Sequence, residues 1–77
     1  MNIYITLSAR NFNKDIHNQL KKIFEDNHGK NRVYLMVKQN GNVRKIATNY
    51  FISFTDRIKS EIELRAGENS VEARILE

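Results

Sequence analysis

The chain has 77 residues, 40% of them hydrophobic and 29% charged, an ordinary composition for one small domain spanning residues 1–77. It contains no cysteine, which excludes a disulfide framework and a thiolate metal site. Thirteen basic and 9 acidic residues leave a net charge of +4, which permits weak attraction to nucleic acid but equally describes a lysine-rich solvated surface. No apolar run approaches the roughly 18 residues of a membrane span. The N-terminal stretch Met1-Asn-Ile-Tyr-Ile-Thr-Leu-Ser8 lacks the basic flank of a signal peptide. The expected location is cytoplasmic.

Asn2 to Ser8 alternates, with Ile3, Ile5 and Leu7 on one side and Tyr4 and Thr6 on the other, which predicts a half-buried strand. Asn11 and Asn13 are both suited to cap a following helix, since the side-chain oxygen accepts an orphan N–H. Asp15 falls in the first turn, where a negative charge suits the helix dipole. Ile16, Leu20, Ile23 and Phe24 recur at i, i+4, i+7 and i+8, an apolar stripe. The helix is expected to stop near Asn27-His28, with Gly29 in a left-handed C′ conformation.

Residues 32–47 form the centre of the pattern. Two β-prone runs flank Asn40-Gly41, the strongest short-range hairpin signal, because a type I′ turn needs φ > 0 at both central positions. A two-residue loop pairs Gln39 with Asn42 and sets Leu35 opposite Ile46. Val33, Leu35, Val37 and Ile46 then share the helix side, while Tyr34, Met36, Lys38, Val43, Lys45 and Ala47 share the other. The bulky run Tyr50, Phe51, Ile52 and Phe54 predicts a short extra strand or extended connection near 50–54. Thr55 reads as an N-cap with Asp56 at the helix start, Ile58, Ile62 and Ala66 as the buried stripe, and Glu61 with Arg65 as an exposed ion pair. Gly67 ends this helix, and Val71, Ala73 and Ile75 alternate with Glu72 and Arg74 in a last strand.

Gly29-Lys-Asn-Arg-Val33 and Gly67-Glu-Asn-Ser-Val71 share the string Gly-x-Asn-x-Val, preceded at the same spacing by Leu20 and Phe24 in one case and Ile58 and Ile62 in the other. Two βαβ halves joined by a hairpin predict an α+β fold. Its form is the split βαβ (βαββαβ, ferredoxin-like) two-layer sandwich: a four-stranded, mainly antiparallel sheet with two helices on one face.

No catalytic constellation is visible. His17 and His28 lack a helical partner at metal-ligand spacing, the carboxylates are scattered, and no serine has a base placed beside it by the sequence. No catalytic, cofactor-binding or metal-ligating residue is therefore assigned. Gln19-Leu20-Lys21-Lys22-Ile23-Phe24 is similar to the peptides that dock on bacterial sliding clamps, but its apolar residues are the buried stripe of a helix. The open sheet face invites a second reading, a single-stranded nucleic-acid module. Tyr4 and Tyr34 are suited to stack on bases and Lys38, Arg44 and Lys45 to meet phosphates, although the signature of RNA-recognition modules is missing around Val33. These five residues are the candidate partner-binding set.

The chain resembles the extreme C-terminal domain of the α subunit of bacterial DNA polymerase III, the replicative polymerase. The resemblance covers nearly the whole chain and rests on packing and capping positions. Gly29-Lys-Asn-Arg-Val-Tyr-Leu35 stands where that family has a glycine, variable residues, often a proline, and valine-x-leucine; Arg32 replaces the proline. Ile52-Ser-Phe-Thr-Asp56 precedes the last helix, Ile58 and Ile62 take leucine positions, Ala66 stands where leucine is usual, and Gly67-Glu-Asn-Ser-Val71 closes the match. The resemblance implies a non-catalytic accessory domain, with the polymerase carboxylates lying elsewhere in the parent protein. It also implies replisome partners, the clamp-loader τ subunit first, and a neighbouring single-strand-binding OB domain; weak contact of this chain with single-stranded DNA is the expectation carried by the open sheet face. A rival with the same element order is a regulatory module of the ACT type, which binds amino acids at strand–helix turns.

Overall fold

The computed structural model describes residues 1–75 and runs β1 (Asn2–Ser8), α1 (Lys14–Asp26), β2 (His28–Gln39), β3 (Asn42–Ile52), α2 (Asp56–Ala66) and β4 (Val71–Arg74). The α+β class and the βαββαβ element order of the ferredoxin-like sandwich are as the periodicities predict. The sheet is mixed, in the order β3-β2-β1-β4. The pairs β2–β3 and β1–β4 are antiparallel, and β1 and β2 lie side by side in parallel. The first βαβ unit is therefore not split by an intervening strand: the hairpin sits at the sheet edge. Either arrangement buries the same alternating residues, so apolar periodicity does not decide between them.

Ile3, Ile5, Leu7, Val33, Leu35 and Ile52 from the sheet close on Leu20, Ile23 and Phe24 of α1 and on Ile58, Ile62 and Ala66 of α2. Both helices thus cover one sheet face. Asn13 caps α1, its side-chain oxygen accepting from the Ile16 amide at 3.0 Å. Asn11 has a different task, donating to the Ala66 carbonyl at 3.1 Å and tying the start of α1 to the end of α2. Thr55 caps α2 by accepting from the Ile58 amide at 3.3 Å. Gly67, at φ +115, ends α2, where its amide donates to the Glu63 carbonyl. Arg65 does not pair with the Glu61 carboxylate as expected; its guanidinium donates to the Glu61 carbonyl at 2.7 Å.

The hairpin register is the one set by the turn, with Gln39 opposite Asn42 and Leu35 opposite Ile46, and Asn40 and Gly41 at φ 48 and φ 80. No separate strand forms near 50–54. Instead β3 continues to Ile52 and pairs with an extended start of β2. Continuity is achieved by bulges. Between Ala47 and Phe51, β3 places Thr48, Asn49 and Tyr50 where β2 has only Val33. The even number of extra residues restores the alternation, so Phe51 returns to the open face and Ile52 to the core. The Thr48 hydroxyl fastens the bulge by donating to the Val33 carbonyl at 2.6 Å and accepting from the Tyr50 amide at 3.2 Å.

Gly29 is not a helix cap. Asn27 takes that place with φ −132, and Gly29 lies within β2 at a second bulge, where His28 and Asn31 both pair with Ile52. A Cβ on Gly29 would clash with the Ser53 amide nitrogen and the Ile52 carbonyl group. The glycine is required by this close approach of two backbones and not by a positive φ. The resemblance between the two Gly-x-Asn-x-Val strings is accordingly not structural: Asn31 is a strand residue whose side chain donates to the Ile52 carbonyl, whereas Asn69 is a loop residue at φ 60.

Two glycine substitutions separate these roles. Gly29→Ala is expected to cost about 1–3 kcal/mol, because backbone must move to admit the methyl group. Gly41→Ala meets open space and bears only the cost of positive φ, about 1 kcal/mol. Urea denaturation of both variants measures the difference; a smaller loss at Gly29 than at Gly41 contradicts the close approach.

Candidate functional site

The uncovered sheet face carries the most organised set of polar and aromatic side chains. Its geometry starts from the parallel register, which sets Tyr4 directly opposite Tyr34. Neighbouring strands are spaced about 4.8 Å apart, close to a stacking distance. The two rings are stacked, with centroids 5.1 Å apart and planes within 15°. Such a pair contributes about 1 kcal/mol beyond the area it buries.

Cations surround this pair. The Lys45 Nζ lies 4.8 Å from the Tyr34 centroid and 5.5 Å from that of Tyr4. Arg74 reaches across from β4 to place its guanidinium carbon 4.5 Å from the Tyr4 centroid. Arg32 spans Tyr34 at 5.5 Å and Phe51 at 5.9 Å, and its Nε donates to the Thr48 carbonyl at 3.0 Å. The rings' negative faces attract each cation. The result is a row crossing all four strands: Arg74, Tyr4, Tyr34 with Lys45 above, Arg32 and Phe51.

Of the five residues singled out from the sequence, Tyr4, Tyr34 and Lys45 come together in this row. Lys38 lies exposed on the same face, toward the hairpin tip and opposite Val43. Arg44 does not join them. It pairs opposite Val37, a core-facing position, so it projects on the helix side of the sheet. Its alternation with Lys45 already implies this placement. Arg32, Phe51 and Arg74 were not in the candidate set. Arg74 shares the open side with Glu72, two residues away, and is legible there. The open side of Phe51 follows from alternation with Lys45 and Ala47, but its place opposite Arg32 does not, because that pairing depends on the two extra residues of the bulge.

Glu72 is the counter-charge within the row. Its carboxylate accepts from Arg74 at 3.0 Å, the one ion pair among the described residues, and both side chains are more than half exposed. The hydrogen bond from Arg74, then its positive charge, hold the Glu72 carboxyl below its ordinary range. The same contact raises the Arg74 guanidinium above its usual value.

A second feature lies between α1 and β3 on the helix side. A small apolar cleft there is lined by Phe12, His17, Leu20, Phe24, Leu35 and Tyr50. The rings of Phe24 and Tyr50 meet at 5.3 Å across it. Among the described residues, no group of three metal-ligating side chains comes together, and no helix is long and apolar enough to cross a membrane. His17 and His28 lie on different elements and both are exposed. Comparison of the chain with protein-family models, with curated proteins and with solved structures gives no match.

The Glu72–Arg74 contact makes a pH prediction. A carboxyl whose pKa is lowered on folding adds stability that is present above its unfolded pKa and is lost as pH falls through the folded pKa. At a fully exposed site the effect on stability is small. The titration itself is the sharper readout. Carboxyl-detected NMR is expected to place the Glu72 midpoint below the ordinary glutamate range, and Arg74→Gln is expected to return it to that range. An unchanged midpoint in the variant would remove Arg74 as the cause.

Proposed function

We propose that this chain is a non-catalytic interaction domain. On this reading it is the C-terminal accessory module of a replicative polymerase of the bacterial polymerase III α type, and it holds that enzyme among its replisome partners, the clamp-loader τ subunit first. The observation that supports this reading is where the resembling residues fall. Ile52, Ile58, Ile62 and Val71 are buried core, Thr55 is the α2 N-cap, Asp56 begins the helix, and Gly67 ends it at positive φ. Gly29 stands where any side chain would press on the backbone of Ile52 and Ser53. The motif positions thus do structural work throughout, as expected of a module that supplies a shaped surface and leaves chemistry to the rest of its parent.

The scale of the interaction follows from size. A domain of this length offers a partner roughly 800 Å² on one face, the usual share of a specific interface. The apolar cleft between α1 and β3, with the partly exposed Phe12 at its mouth, is the anchor this reading assigns to a protein partner.

Calorimetric titration of the chain with τ tests the assignment. Saturable binding at or below tens of micromolar is the expected outcome, weakened about tenfold by Phe12→Ala if the cleft is the anchor. No heat of binding in that range would sink the τ assignment.

A further inference from the structure

The row of rings and cations on the open sheet face lies away from the helix-side cleft and has a composition that a protein anchor does not require. We propose that this face binds a short single strand of nucleic acid. Phosphates would engage Arg32, Lys45 and Arg74, and bases would stack on the ring faces of Tyr4 and Tyr34 that these cations release. This inference stands independently of the polymerase reading, since it uses only this face and its charges.

Three observations carry it. The first is charge. Arg32, Lys38, Lys45 and Arg74 share the face with a single carboxylate among the described residues, Glu72, which is already committed to Arg74. The face is therefore complementary to a polyanion. The second is the alternation of cation and ring across the strands, which offers phosphate and base contacts side by side. The third is shape. The row lies on the pleated surface of a sheet, and among the described residues no helix or loop is placed over it. A sheet face of this kind accepts splayed bases, whereas a duplex hides its base faces in the stack.

The free protein keeps the tyrosines covered. One ring is stacked on the other at 5.1 Å, and a cation stands within 5.5 Å of each centroid. Binding is an exchange: a phosphate is a stronger partner for Lys45 or Arg74 than a ring face, and each cation drawn away uncovers a π surface. The exchange couples the electrostatic and stacking contributions, since in the parent chain each ring face becomes available as its cation moves to a phosphate. An acidic peptide would engage the same cations but has no π face to place on the tyrosines.

The test is a fluorescence titration. The chain has three tyrosines and no tryptophan, so stacking on Tyr4 and Tyr34 is read directly as quenching of tyrosine emission. An oligothymidine of about ten nucleotides is a suitable probe, within the usual site size for single-strand binders. Saturable quenching at low salt is expected, with the logarithm of the affinity falling by about 0.7 per phosphate contact for each tenfold rise in salt. Tyr34→Ala is expected to weaken binding about tenfold, the loss typical of one stacked base. Tyr34→Phe keeps the ring and should bind nearly as the parent does, which separates stacking from damage to the fold. Lys45→Gln should reduce the salt slope by about 0.7, whereas the charge-matched Arg57→Gln, on α2 in the helix layer, should leave it unchanged. Absence of quenching at low salt overturns the proposal. So does equal affinity for the parent and Tyr34→Ala, or for a duplex of the same length. Equal affinity for polyglutamate would mark the face as a site for acidic protein and overturn the nucleic-acid assignment. None of these outcomes bears on τ binding, which is measured separately.

Discussion

The parallel pairing of β1 with β2 is the contact on which the rest of the structure depends. Its register, from Asn2 opposite Arg32 to Ser8 opposite Lys38, aligns two alternating strands so that both sides are specified at once. On one side Ile3, Ile5 and Leu7 meet Val33, Leu35 and Val37, all buried. On the other, Tyr4 meets Tyr34. A slip of one residue would turn the apolar set to solvent and the tyrosines to the core, so burial and the stacked pair enforce the same register. The helices, the hairpin and β4 are attached to this central pair.

What is attached differs in how tightly it is held. The end of α1 is stitched to the end of β3 by two hydrogen bonds, from the Ser53 amide to the Asn27 carbonyl at 2.9 Å and from the Ser53 hydroxyl to the His28 carbonyl at 2.8 Å. The end of α2 is held by Asn11 and by Ser70, whose hydroxyl donates to the Gly67 carbonyl at 2.6 Å. The Glu63 carboxylate adds a bond from the Asn69 amide at 2.8 Å. In both places polar side chains satisfy backbone groups at an element boundary, where water would otherwise compete. The hairpin tip has no such fastening among the described residues, and Lys38 and Val43 beside it are exposed.

Much of this was legible in the sequence because it is local. The Asn40-Gly41 turn sets its own register, the Thr55 cap and Asp56 announce α2, and period-two alternation identifies Ile3, Ile5 and Leu7. The errors share one cause, a dependence on distant backbone. Gly29 looks like a helix-ending glycine until β3 passes close beside it. The run from Tyr50 to Phe54 looks like a separate strand until the Thr48 bulge joins Ile52 and the residues before it to β3. The neighbour relation of β1 and β2 is likewise a property of the sheet and not of either strand. At the candidate site, Tyr4, Tyr34 and Lys45 followed from alternation, whereas Arg32 and Phe51 are brought together only by the bulge.

The edge position of the hairpin has a consequence for strand addition by another chain. With β3 outermost, an 11-residue strand presents its outward amides and carbonyls to solvent, a template on which another chain's strand would add with little rearrangement. Two features oppose this. The bulge at Thr48–Tyr50 breaks the flat run of the edge, and Arg44 and Lys45 place like charges on its two sides, so that a second copy approaching in antiparallel register meets its own cations. The lysine that stands over the tyrosine pair thus also puts a charge on the sheet edge, and replacing it with an apolar residue would remove one of the two features that oppose strand addition there.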